Sequence, residues 1–221
     1  MKPAVSLIPA LVATVSILIW AEFADKRRVV YAAKPLSTLL VIAACALAFL
    51  EPTHNPTYTL GALVGLVLSL GGDVALMFHE SRKAFLVGLV LFLLAHVAYT
   101  VVFTALGRSS GWDMVSGVVL LAAGAGFYAL IRPNLGALRG PVIAYMVVIS
   151  LMVNRAVSTL ASPLFGAGQA AMVACGAVLF YVSDVILAAA RFWKPWRYHH
   201  ISLAFYYAGQ FLIALAASSF G

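Results

Sequence analysis

Two carboxylates stand inside stretches apolar enough to sit in lipid. Asp73 lies in the run from Gly65 to Phe78, and Asp184 in the run from Gly176 to Leu187. An ionisable side chain inside a membrane span is expensive, so by default it marks a functional site. The two runs also repeat Gly, Val, Leu, Asp, Val and Leu at matching offsets. A close pair of carboxyls in low dielectric cannot easily ionise together. It would divide one proton and offer an acid and a base at once, as two-carboxyl hydrolases do. Such a pair titrates as a unit, so residue type does not say which Asp is the acid. The plainer alternative is structural, with each carboxyl held by Ser69, Ser183 or a neighbouring Tyr.

Helical spacing gathers other polar groups with the aspartates. Gly65, Ser69 and Asp73 are four apart and share a face, as do Gly176, Phe180 and Asp184. A third stripe holds Phe85, Gly88, Phe92, His96 and Tyr99, and a fourth His199, Ser202, Tyr206 and Gln210. Four helices would thus line a polar pocket, in which His96, taken alone, reads as an ordinary interhelical histidine.

The elements that must position these groups are membrane helices. Of the 221 residues 64% are hydrophobic and 10% charged, and mean hydropathy is +1.03. A soluble domain of this size could not bury that much apolar surface. The composition points to an all-α, single-domain (1–221) polytopic membrane protein. A span takes about 20 mostly apolar residues. Eight windows qualify, at 4–22, 29–50, 57–78, 84–105, 112–131, 141–160, 166–190 and 199–219. The first reads as a retained span, because no small-x-small cleavage pattern follows it. No window alternates as a barrel strand would.

Loop charge sets the topology. Lys26, Arg27, Arg28, Lys34, Arg82, Lys83, Arg132, Arg139, Arg191, Lys194 and Arg197 fall in the odd-numbered connections. Only Lys2 and Arg108 fall on the other side, which predicts external termini and a site near the cytoplasmic face. Trp193, Trp196 and Tyr198 suit an interfacial belt there, and Trp112 an outer one. The net charge of +7 is therefore an orientation signal, with no nucleic-acid module beside it. Spans 3 and 7 run the same way four helices apart, so the Asp echo fits a parallel four-plus-four repeat.

Other residues have simpler readings. Cys45 and Cys175 lie in apolar runs and read as free thiols packed among helices. Gly61 and Gly65 form a small-xxx-small packing element. Arg155 sits near the outer end of span 6, where it can snorkel towards Glu51. Lys34, before Pro35, suits the charge rule, a phosphate or one of the aspartates. His79, His199 and His200 could approach one another, but no His-x-x-x-His spacing supports a metal site, and no metal or other cofactor is expected. A Gly-x-Ser-x-Gly nucleophile motif is absent.

At these residues the chain resembles the YhhN-type lysoplasmalogenase family of eight-span membrane proteins. The likeness rests on Lys34-Pro35-Leu36, on Ser69 with Gly72-Asp73-Val74 and Leu76-Met77, and on Phe85, Gly88, Phe92, Ala95-His96 and Tyr99. It continues through Gly176, Phe180, Ser183-Asp184, Arg191-Phe192, Tyr206-Tyr207 and Gln210. Gly209 departs from it, since Ala is expected before the Gln. The resemblance implies hydrolysis of the vinyl ether bond of lysoplasmalogens to a fatty aldehyde and a glycerophospho-ethanolamine or -choline. Asp73 and Asp184 would be catalytic. Lys34, Ser69, His96, Tyr99, Ser183, Tyr206 and Gln210 would bind substrate, and Lys34, Arg82 and Arg197 would meet the phosphate. The expected partners are a lysophospholipid and the bilayer, in a bacterial inner membrane ahead of an endomembrane. Three rivals stay open. Buried carboxylates in parallel repeats also suit a proton-coupled transporter or flippase of lipid or small amphiphiles. An intramembrane aspartyl protease would want Gly-x-Gly-Asp, but residue 70 is Leu. A structural bundle is the third.

Overall fold

Pro, Gly and capping residues divide the apolar sequence into helices, and no strand occurs among the described residues. The computed structural model describes residues 3–78 and 80–219. The helices are α1 Ile8–Phe23, α2 Arg27–Ala46, α3 Pro56–Leu76, α4 Arg82–Leu106, α5 Gly111–Ile131, α6 Arg139–Ser158, α7 Ala167–Phe192 and α8 Ser202–Ala216. Short 3₁₀ turns extend several of them. Helix starts are chemically marked. Asn55 accepts from the Tyr58 amide ahead of Pro56, and Ser81 accepts from the Ala84 amide.

Seven of these helices are long and apolar enough to cross a membrane, counting their 3₁₀ extensions. The eighth expected span falls short. α8 has 15 residues, which is about 22 Å of helix against a hydrocarbon core of about 30 Å. Its 3₁₀ flanks, His199–Ile201 and Ala217–Ser219, extend it at both ends. The predicted windows otherwise lie within a few residues of the observed helices. Lys34 and Pro35 are an exception, for they sit inside α2 rather than at its start.

The tightest pairs are α3 with α4 and α7 with α8. Lipid gives no hydrophobic drive between helices, so close packing of small residues must hold them. A Cβ on Gly61 would strike Val102, and one on Gly65 the Tyr99 ring. A Cβ on Gly209 would lie 2.6 Å from the Gly176 carbonyl oxygen, so α7 and α8 meet backbone to backbone. The other main contacts run α1·α2, α2·α3, α5·α6 and α6·α7, with α4 against α6 and α8 against α2. α5 is peripheral, resting on α6, with Trp112, Met114 and Leu121 exposed.

At the end opposite the site, Arg155 pairs with Asp113 at 3.4 Å rather than reaching Glu51. The reason is packing: α5 lies along α6 and brings Asp113 in, and Asn154 orients the guanidinium through its side-chain oxygen. Both cysteines are free, but only Cys45 is packed inside; Cys175 is exposed.

Candidate active site

One cavity of about 630 Å³ collects several of the candidate site residues. Its walls come from the ends of α1, α3, α5 and α7 and the beginnings of α2, α4, α6 and α8. The helices therefore alternate in direction, and the cavity lies at the end that carries most of the Lys and Arg. Asp73, Asp184, Lys34, Ser183, Tyr206 and Arg197 all line it.

The two carboxylates have unlike surroundings. Asp73 is 2% exposed and rich in donors. Its Oδ2 accepts from the Thr38 hydroxyl and the Tyr206 hydroxyl, each at 2.7 Å. Its Oδ1 faces the Lys34 ammonium at 3.7 Å. Lys34 can reach it because α2 runs on past Pro35 beside α8. There the Tyr207 hydroxyl donates to the Lys34 carbonyl at 3.0 Å. Proline cannot donate to the carbonyl four residues earlier, so the Tyr31 carbonyl is freed in the same turn.

Among the described residues, no ammonium or guanidinium lies within ion-pair reach of Asp184. Its Oδ2 accepts from the Tyr145 hydroxyl at 2.5 Å and lies 3.9 Å from His96 Nε2. His96 is fully buried, and its Nδ1 donates to the Phe92 carbonyl at 2.6 Å. In a neutral ring that bond leaves Nε2 as an acceptor, and Nε2 has no hydrogen-bond partner. No hydrogen bond joins the two carboxyls among the described residues. Phe180 ties their surroundings together, lying 5.2 Å from the Tyr206 ring and 4.7 Å from the His96 ring.

The other expected site residues divide. Ser183 lines the cavity without holding either carboxylate. Ser69, Tyr99 and Gln210 are buried behind it; Ser69 and Tyr99 face each other, and the Gln210 amide has no hydrogen-bond partner among the described residues. Arg82 is exposed at the start of α4, off the cavity. Arg191 stands on the wall instead, its guanidinium 3.8 Å over the Phe85 ring. His199 and His200 lie at the mouth, and His79 lies outside the described residues. Thr38, Tyr145 and Arg191 were missed as site residues. Only Arg191 carried a signal, as part of a recognisable Arg-Phe motif.

Fold and site together define a polytopic helical membrane protein with a paired-carboxylate cavity at its basic end. The chain belongs to the YhhN family, whose profile matches residues 29–217. It is 36% identical over 163 residues to lysoplasmalogenase TMEM86A of Bos taurus, a match covering 70% of this chain and 63% of the relative. It is 30% identical over 154 residues to lysoplasmalogenase TMEM86B of Homo sapiens, covering 69% of this chain and 61% of the relative. The chain thus spans less than two thirds of the length of these curated relatives. No solved structure matches it.

Proposed function

We propose that the chain is a membrane hydrolase that cleaves the vinyl ether bond of lysoplasmalogens. The products would be a fatty aldehyde and a glycerophospho-ethanolamine or -choline. The observation that carries this reading is the pair Asp73 and Asp184 on one cavity wall with unlike partners. Two hydroxyls and an ammonium around Asp73 suit an ionised carboxylate. Asp184 accepts one hydroxyl and otherwise faces an imidazole acceptor, which suits a carboxyl that keeps its proton.

The reaction follows from those states. Asp184 gives its proton to the alkene carbon farther from the ether oxygen, and the oxygen-bearing carbon becomes an oxocarbenium ion facing the Asp73 carboxylate. Water adds to that carbon and yields a proton to Asp73, forming a hemiacetal. Collapse breaks the bond to the glycerol oxygen, which takes the proton from Asp73 while the hydroxyl proton passes to Asp184. Both carboxyls end as they began. The tail would lie along the apolar wall of Phe127, Ile131, Val142, Met146 and Ile149. Arg191 and Arg197 would face the phosphate, while Lys34 stays with Asp73.

The finer architecture we read as eight spans in two parallel halves, with α8 and its 3₁₀ flanks as the last span, the termini outside and the basic end in the cytoplasm. Spacing supports the halves. Asp73 and Asp184 are 111 residues apart, as are Lys34 and Tyr145, and His96 and Tyr207. Contacts support them too, since exchanging α1–α4 with α5–α8 turns α4·α6 into α8·α2.

The test is aldehyde release from lysoplasmenyl-ethanolamine by purified protein in detergent. Asp73→Asn and Asp184→Asn should each cut turnover by roughly 10²-fold or more without unfolding the protein. Undiminished aldehyde from either variant sinks the proposal, and transfer of intact lipid across proteoliposomes with no aldehyde favours a transporter.

A further inference from the structure

The cavity mouth holds one carboxylate that the proposed hydrolysis does not use. Glu22 lies in the last turn of α1 and lines the cavity, its side chain 26% exposed. An acidic residue there opposes the helix dipole and gains the helix nothing. His200 Nδ1 is 3.8 Å from its Oε2, beyond hydrogen-bond distance, and is the one basic group among the described residues within ion-pair reach of it. Lys34 is committed to Asp73. The remaining charged groups of the mouth, Arg191 and Arg197, are both positive.

A mouth with two guanidinium groups and a carboxylate complements a zwitterion. Resting on the hydrolase reading, we propose that Glu22 is the ammonium subsite of a headgroup site, with Arg191 and Arg197 taking the phosphate. The planar guanidinium fork matches phosphate oxygens, and a carboxylate accepts charge-assisted bonds from a primary ammonium. Trp196 also lines the cavity and offers an aromatic surface to a cation. Glu22 lies ahead of the matched stretch 29–217, so family membership does not assign it a role.

The test compares kcat/KM for lysoplasmenyl-ethanolamine with that for the alkenyl-glycerol 3-phosphate lacking the amine. Glu22→Gln should lower the first about tenfold, the order of one charge-assisted hydrogen bond, and leave the second unchanged. Glu22→Lys should favour the phosphate monoester over the ethanolamine lipid. An equal loss on both substrates, or on neither, overturns the proposal. Binding of the non-hydrolysable 1-O-alkyl lysophosphoethanolamine and its 3-phosphate counterpart gives a readout independent of turnover. If wild-type protein releases no aldehyde but Glu22→Gln still weakens the ethanolamine lipid alone, the headgroup site stands and the hydrolase reading falls. If the variant binds both analogues as wild type does, the headgroup site falls.

Discussion

Replacing Lys34 with Met removes the cation facing Asp73 while keeping a long side chain in place. At the observed 3.7 Å and an effective dielectric of about 20, two unit charges attract by about 4.5 kcal/mol. Water screens little of this, because the side chains are only 12% and 2% exposed. Two effects reduce the net loss. The Thr38 and Tyr206 hydroxyls still hold the carboxylate, and an abandoned buried carboxylate can take up a proton instead of remaining charged. We expect a destabilisation of about 3 kcal/mol, at the lower edge of what breaking a buried ion pair costs. Adding Asp73→Asn to Lys34→Met should then restore about 2 kcal/mol, since no charge is left stranded. Denaturant unfolding of all four proteins in one detergent measures the coupling. Aldehyde release should fall roughly 10²-fold in Lys34→Met, because a protonated Asp73 can neither face an oxocarbenium ion nor accept a proton from water. A coupling energy near zero, with turnover intact, would refute an ionised Asp73 held by Lys34 and with it the assignment of Asp73 as the base.

Two further outcomes are expected. Gly209→Ala should destabilise by about 2–3 kcal/mol, because its Cβ meets the Gly176 carbonyl oxygen at 2.6 Å and the Phe180 amide nitrogen at 2.9 Å, and backbone cannot yield as a flexible side chain does. Gly168→Ala, with open space around the new Cβ, should be neutral or slightly stabilising in the same unfolding assay. Arg191→Met should raise KM for a lysophospholipid about tenfold with a smaller change in kcat, whereas Arg82→Met should leave both alone; equal effects of the two would mean that bulk positive charge, not the cavity wall, draws the headgroup.

The parts legible in sequence are those that a single helix decides. Hydropathy and Pro/Gly punctuation placed the windows within a few residues of the helices, and helical spacing put Ser69 with Asp73 and His96 with Tyr99 on buried faces. What failed depends on which helix meets which. Thr38 and Tyr145 are polar groups in apolar runs, and nothing along α2 or α6 says that an aspartate from α3 or α7 faces them. Of the expected partners of the carboxylates, a neighbouring Tyr holds each, Tyr206 on Asp73 and Tyr145 on Asp184, while Ser69 and Ser183 do not, and Thr38 from α2 joins Tyr206. Arg155 chose Asp113 over Glu51 for the same reason. Arg82 and Arg191 carry the same charge at the same end of the bundle, but Arg191 at the end of α7 lines the cavity and Arg82 at the start of α4 is exposed off it. Gly209 meets the Gly176 carbonyl across the interface, a contact that α8 alone does not reveal.

The proposed pairing of halves bears on the proposed chemistry. In such a repeat two equivalent helices deliver two equivalent carboxyls, and a strictly symmetric pocket would leave them interchangeable. Hydrolysis of a vinyl ether needs them different, one supplying a proton to carbon and one facing the cation that results. The difference enters where the halves diverge, at the position that is Lys34 in α2 and Tyr145 in α6. An ammonium can stabilise a neighbouring carboxylate as a full charge, whereas a phenol lends only one hydrogen bond. The second divergence reinforces the first: His96 stands in α4 where α8 has Tyr207, and a ring acceptor beside Asp184 suits a carboxyl that keeps its proton. On this reading the repeat sets the distance between the two groups, and two substitutions within it set their roles. Exchanging the pair, Lys34→Tyr with Tyr145→Lys, should therefore retain more activity than Lys34→Tyr alone, because it moves the charged state to Asp184 without abolishing the asymmetry. Equal inactivity of the single and double variants, with both folded, would show that substrate orientation, and not only the asymmetry of charge, ties each role to its own aspartate.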